Sequence, residues 1–303
     1  MIGKHVNRSD LIYHYTTPAG LTGILGHEQR PSAQLWATSA IFLNDAQELV
    51  FGAQEAAAAI ATELEIIPPD SDPGWIRPAL TGQKYTLDIY STEADRLPQL
   101  LRASPYVACF STEGDDLAQW RGYGAGGAGY SIGFRRDVLA QHVATERLTS
   151  TDRELIGTQL TPVLYGDDAR QHLIVATQRL VRRLRDRAPA GDSGVHDHFR
   201  FLDTYAPELP RCKHAAFSGE REWRIIAGHG RDEHFRGTHL GPTPYIALEL
   251  PLEAVATITI GPGPNKTIRA AAAAYLADRV IDTNRHEEIE IAHSVAPFRP
   301  APS

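Results

Sequence analysis

Cysteine is scarce, with two in 303 residues. Cys109 and Cys212 cannot build a disulfide framework, and neither stands at metal-ligand spacing from a partner. Both lie beside apolar residues, which suits buried, reduced thiols. No apolar run is long enough to cross a bilayer, and Met1-Ile2-Gly3-Lys4-His5 begins no secretory signal. The expectation is a cytosolic protein without membrane contact, or an effector exported by machinery that needs no cleavable signal. Excess positive charge is missing too. The formal charge is −7, so no global basic field awaits nucleic acid, and such a partner would need a local patch. There is no internal repeat and no linker obvious enough to divide the chain. The expectation is one domain over residues 1–303, loose at about 1–9 and 298–303, with helical insertions at about 66–104 and 167–206.

Hydrophobic content of 42% and charged content of 22% are ordinary for a globular chain with a sizeable core. Leu11–Thr16 is rich in aromatic and β-branched residues and predicts a strand. Thr17 as cap and Pro18 in the first turn predict a short helix ending at Gly26. Further strands are predicted at Leu35–Thr38, Tyr106–Ser111, Tyr130–Phe134, Thr161–Tyr165, Tyr245–Glu249, Val255–Ile260 and Ile289–His293. Helices are predicted at Gln47–Glu65, within 75–103, at Asp115–Arg121, at Asp168–Arg187 and at 267–279. The helix from Asp168 shows a basic outer face of Arg179, Arg182, Arg183, Arg185 and Arg187, by default a solvated surface. Strands are short and helices irregularly inserted, without steady strand–helix alternation, which predicts an α+β fold.

Several motifs fail on context. Gly124–Gly129 matches the dinucleotide-binding glycine pattern, yet a helix precedes it and a strand follows, so a flexible loop is expected instead. Gly261–Thr267 has no glycine before Lys266 and carries prolines where amide donors are needed. His196-Asp197-His198 lacks a third and fourth ligand, so no metal site is assigned.

The stretch Phe217–Ile226 is different. Alternation along a strand puts Glu220, Glu222 and Arg224 on one face and Trp223 and Ile225 on the core side. Two carboxylates on one face repel unless a partner uses them, so Glu222→Gln is expected to hold or slightly raise stability. The plain alternative is a solvated strand face with cross-strand ion pairs. His14 in the first strand, Trp120 and Tyr123 in the middle and Glu222 late in the chain follow the order of the ADP-ribosyltransferase constellation.

Over nearly its whole length the chain resembles a family of bacterial domains of unknown function. The landmarks are His14-Tyr15-Thr16, Leu43-Asn44-Asp45 with Glu48, Cys109-Phe110-Ser111, Trp120-Arg121-Gly122-Tyr123, Ile132-Gly133-Phe134 and Lys213-His214. Glu220-Arg221-Glu222-Trp223-Arg224, Ile260-Gly261-Pro262, and Ser294 with Pro297-Phe298-Arg299 complete them. That family in turn resembles the ADP-ribosyltransferase fold. The resemblance implies a split sheet with NAD, as substrate, in the cleft between its halves. His14 with Thr16 would hold a ribose hydroxyl, and Tyr123, or alternatively Trp120, would stack on nicotinamide. Glu222 would be the catalytic carboxylate and Glu220 would aim the acceptor, or serve the structure only. Tyr15, Ser111, Arg121 and Arg224 join the cofactor-binding set. The implied function is transfer of ADP-ribose to a protein or nucleic acid, in a toxin or defence setting. An NAD glycohydrolase and a non-catalytic nucleotide-binding module are the alternatives.

Overall fold

The computed structural model describes residues 8–26, 32–43, 47–92, 104–149, 157–186, 204–228, 231–238, 240–281 and 289–297. Leu11–Thr16 forms β1, and its side chains are buried almost throughout. Thr17 then caps α1, Pro18–Leu25, accepting the Gly20 amide, and Gly26 closes the helix. Ser32–Ser39 is β2. The helices α2, Gln47–Ile66, and α3, Ile76–Thr92, follow on either side of the Pro68-Pro69 break. Tyr106–Ser111 is β3. Leu117–Gly122 is a short α4, and Tyr130–Arg135 is β4. Next come α5, Arg136–Thr149, and the short strands β5, Gln159–Pro162, and β6, Leu164–Tyr165. The long α6 is Asp167–Asp186, β7 is Cys212–Lys213 and β8 is Glu222–Ala227. The chain continues through β9, Glu233–Thr238, β10, Gly241–Pro251, β11, Val255–Ile260, α7, Lys266–Ile281, and β12, Glu290–His293.

The architecture is mixed α+β with a mostly antiparallel sheet; the pairing of β11 with β12 is parallel. Strand order is β12-β11-β4-β1-β3-β2-β10-β9, with β8 paired to β3 and β5. The feature that matters for function is a fork at β3. One edge of β3 pairs with β8 from Tyr106 to Ser111. The other edge meets β1 only at Ser111 and β2 only at Tyr106 and Val107. Between those contacts, at Cys109, the carbonyl is taken by a side chain: His14 Nδ1 lies 2.9 Å from it. The two halves of the sheet therefore diverge from β3, and a cleft opens where strand pairing stops.

Two apolar clusters hold the layers together. One joins the sheet to α1, α5 and α7 through Leu21, Ile24, Leu139, Val143, Ala273 and Ala277. The other packs α2, α3 and α6 against Val107 and Ile226. The inner face of α6 runs Ala169, Leu173, Ala176, Leu180, Leu184, the spacing that lines one side of a helix. Its outer arginines 179, 182, 183 and 185 are exposed, as a solvated face requires.

The glycine run 124–129 is not a loose loop. Gly126 and Gly127 take positive φ of 58° and 84°, and Gly261 and Gly263 donate to Gly129 and Gly127. A Cβ on Gly129 would sit 2.1 Å from the Thr16 carbonyl, so only glycine allows the backbone to approach β1 there. Arg269 clamps the same turn by donating to the Gly129 carbonyl at 2.6 Å. The run is a packing device beside the cleft. Residues 44–45, the His196-Asp197-His198 motif, residues 298–299 and the part of the predicted 75–103 helix beyond residue 92 lie outside the described residues.

Candidate functional site

A cavity of ≈ 520 Å³ occupies the fork. β1 contributes His14, Tyr15 and Thr16, β3 contributes Ala108, Cys109 and Ser111, and α4 with its C-cap presents Gln119 and Tyr123. Lys213 of β7, Glu220, and Glu222 and Arg224 of β8 form one wall, while Trp36 and Thr38 of β2 and Arg236 of β9 form another. His14, Tyr123 and Glu222, far apart in sequence, thus line one space.

The wall around Glu222 is a closed ion network. Arg224, 1% exposed, reaches Glu222 through two nitrogens, Nε to Oε1 at 2.7 Å and Nη2 to Oε2 at 2.9 Å. Its Nη1 donates to the Pro210 carbonyl at 2.6 Å. Lys213, 3% exposed, sits between the two carboxylates, 2.6 Å from Glu220 Oε2 and 2.7 Å from Glu222 Oε2. Burial pushes the Glu222 carboxyl up, but the charges of Arg224 and Lys213 and hydrogen bonds from Arg224 and Cys109 outweigh it and hold the pKa at about 2. Glu222 is therefore ionised at any physiological pH.

This corrects the expected repulsion between Glu220 and Glu222, because Lys213 binds both. It also corrects the expected geometry. Glu220 is not on the strand face; it ends the 3₁₀ turn Ala215–Glu220, and Arg221 turns the chain with φ 47° before β8 begins. Arg221 pairs with Glu113, and Ser111 Oγ donates to the Glu220 carbonyl at 3.0 Å. Trp223 and Ile225 do pack into the core as alternation requires.

His14 is half-buried and neutral. Burial lowers its pKa, the Cys109 carbonyl opposes that, and the charge of Arg236 lowers it further. A carbonyl can only accept, so Nδ1 carries the proton and Nε2 keeps its lone pair. An imidazole in this tautomer, lining the cavity, can accept a hydrogen bond from a ligand hydroxyl.

The aromatic candidates separate clearly. Residues four apart share a helix face, so Gln119 and Tyr123 meet the cavity together. Tyr123 is 43% exposed at its mouth, and burial followed by the Glu220 charge pushes its hydroxyl up to about 12. Trp120 does not line the cavity. It is fully buried, donates its indole N–H to Asp115 at 2.7 Å and meets Tyr15 edge-on at 4.8 Å. Asp115 in turn accepts from Ser294 Oγ at 2.5 Å and the Val295 amide at 2.8 Å. Trp120 is thus a packing anchor and not a ligand-stacking surface. Arg121 is exposed and does not line the cavity. The Tyr15 hydroxyl is committed to the Glu113 carbonyl at 2.7 Å and the Asp116 amide at 2.9 Å. Since Asp116 caps α4, Tyr15 positions the helix that carries Tyr123.

Lys213 and Arg236 were missed as site residues. Lys213 stands in a two-residue strand that no periodicity marks, although Lys213-His214 is among the family landmarks. No signal in the sequence singles out Arg236. No group of three or more possible metal ligands is found among the described residues, and no described helix is long and apolar enough to cross a membrane.

No curated protein and no solved structure matches this chain. Residues 119–225, the segment that carries Tyr123, Lys213, Glu220, Glu222 and Arg224, match the model of a family described as "Protein of unknown function (DUF2971)".

Proposed function

We propose that this protein binds NAD in the forked cleft, cleaves its nicotinamide–ribose bond and transfers ADP-ribose to a macromolecule. The observation that carries the proposal is the gathering of His14, Tyr123 and an ionised Glu222 around one cavity. Its volume of ≈ 520 Å³ falls within the roughly 300–1,000 Å³ of small-molecule sites. The neutral His14 suits a ribose hydroxyl, because Nε2 accepts. Tyr123 offers a ring at the mouth against which nicotinamide can stack.

In the proposed reaction the C–N bond to ribose breaks and nicotinamide leaves with the bonding pair as a neutral molecule. Positive charge develops on the ribose, and the fixed Glu222 carboxylate stabilises it, as carboxylates do in glycoside cleavage. A nucleophile of the acceptor then bonds to the anomeric carbon and releases its proton to solvent. Glu220, nearer the surface and held by Lys213, would aim the acceptor. Arg224 and Lys213 keep Glu222 ionised and immobile, so no reorganisation is needed as charge appears.

One observation favours a second proposal, a nucleotide-binding module without turnover. Both oxygens of Glu222 are engaged by Arg224, and one also by Lys213, which matches the carboxylate's charge. Incubating the purified protein with NAD, with and without cell extract, separates the two. Nicotinamide release with a shortfall of free ADP-ribose supports transfer. Equal amounts of both products mean that water is the acceptor, and absence of both products leaves the binding module. For an enzyme, Glu222→Gln should lower nicotinamide release by about two orders of magnitude or more, with a much smaller change in NAD affinity.

A further inference from the structure

The charges lining the cavity are unevenly matched. On one wall Lys213 and Arg224 balance Glu220 and Glu222. Arg236, on β9, remains. Its Nη2 donates to Thr38 Oγ1 at 2.7 Å, and its guanidinium lies 5.8 Å from the centre of the Trp36 ring. Both contacts hold the group in place, and neither neutralises it. Its Nε is buried with no partner, and among the described residues no carboxylate pairs with it. Burial is the largest influence on its pKa, which it lowers. With His14 neutral, the described ionised groups lining the cavity, Lys213, Glu220, Glu222, Arg224 and Arg236, sum to one positive charge, and Arg236 carries it. That surplus stands out in a chain of net charge −7.

Half-burying a guanidinium without an acid is unfavourable by itself. The cost is understandable if an anion completes the site. Arginine's planar fork suits phosphate oxygens in particular, through charge-assisted, paired hydrogen bonds. The geometry points to Arg236 as the anchor for a phosphate group of the bound ligand, across the cavity from the Glu222 wall. This rests on the proposed NAD site and adds to it: the diphosphate of the dinucleotide would lie toward β2 and β9, and its nicotinamide end toward Glu222 and Tyr123.

The test is calorimetric titration of the full chain with ADP and with adenosine, which differ by the diphosphate. The wild type should bind ADP at least about tenfold more tightly than adenosine, the scale of a charge-assisted pair. Arg236→Gln should abolish that difference, and Arg236→Lys should keep part of it, since a point charge replaces the fork. Equal binding of ADP by wild type and Arg236→Gln would overturn the assignment. So would a wild type that does not prefer ADP, a result that needs no variant to fold. Nicotinamide release assayed alongside keeps the two proposals apart. An ADP preference that needs Arg236, without any nicotinamide release, removes NAD cleavage and leaves the anion site. Nicotinamide release with no role for Arg236 in ADP binding does the reverse.

Discussion

The two walls of the cavity solve opposite problems. On the β8 side every ionised group has an ionised partner at hydrogen-bond distance, and Arg224 and Lys213 are almost wholly out of water. On the β9 side, among the described residues, a single guanidinium stands half-buried with a hydroxyl and an indole for company. A matched buried network is rigid and depends on each of its members, because removing one strands another. An unmatched charge contributes little to the fold and leaves its interaction capacity for a ligand. Stability therefore resides in the β8 wall, and capacity for recognition in the β9 wall.

The largest effect should come from breaking the matched wall at its centre. Glu222→Gln leaves Arg224 and Lys213 buried without their shared anion. Breaking a buried pair costs about 3–5 kcal/mol, and glutamine should fall at the low end because its carbonyl still accepts from Arg224. Urea unfolding of both proteins measures this; an unchanged midpoint would mean that the network does not hold the wall. This reverses the sequence-based expectation that stability would hold or rise, because that expectation lacked Lys213.

Acid should erase the same difference. The Glu222 carboxyl is near 2 when folded against an ordinary value of 4.5, so the unfolded chain takes up its proton first as pH falls. The stabilisation it supplies is complete above pH 4.5 and is lost as the pH drops toward 2. The stability gap between wild type and Glu222→Gln should therefore be constant from pH 7 to about 5 and shrink below that. A gap that stays constant down to pH 3 would show that the carboxyl is not held ionised.

Lys213→Met should have the next effect, about 2–3 kcal/mol, below the full cost of breaking a buried pair. Glu222 keeps Arg224, and Glu220, with its side chain 29% exposed, can turn to water. Adding Glu220→Gln should recover part of the loss by removing the repulsion between the two carboxylates that Lys213 had bridged. A double-mutant cycle reads that coupling directly. Additive losses would mean that the bridge between the carboxylates is not what Lys213 supplies.

How much of this was legible in the sequence follows from how each part is encoded. Leu11–Thr16, Thr17-Pro18 and the α6 heptad-like spacing are local signals, and the elements stand where those signals put them. The strand at Glu222 was legible as well, and so was the core side of Trp223 and Ile225. Three of the described elements went unpredicted, the helix Arg136–Thr149, the two-residue strand Cys212–Lys213 and the strand Glu233–Thr238. The strand Glu233–Thr238 is largely exposed and has no apolar alternation; it is a strand because β10 pairs with it. Arg236 was invisible for that reason. The fork at β3 could not be read either, since it depends on which strands share an edge. Trp120 and Tyr123 shared one motif, yet Trp120 is buried within the helix while Tyr123, the C-cap where helical φ/ψ ends, is half-exposed and lines the cavity.

The smallest effect on stability should come from Arg236→Gln, and its smallness is what the comparison of the walls requires. The substitution removes one hydrogen bond to a neutral acceptor, Thr38, worth about 1 kcal/mol net. It also removes a cation–π contact at 5.8 Å, worth about 0.5–1 kcal/mol where the site is partly exposed. Against these losses, it relieves the desolvation of a half-buried cation that has no acid beside it. The two sides nearly cancel, so the unfolding free energy should change by no more than about 1 kcal/mol. The neighbouring His14 supplies an independent readout. Because the Arg236 charge is one of the influences that lower the His14 pKa, removing it should let that pKa rise. NMR titration of the imidazole follows the change without reference to ligand or turnover. A loss of stability as large as that of Glu222→Gln would show that Arg236 belongs to the protein's own matched network and is not held for an anion.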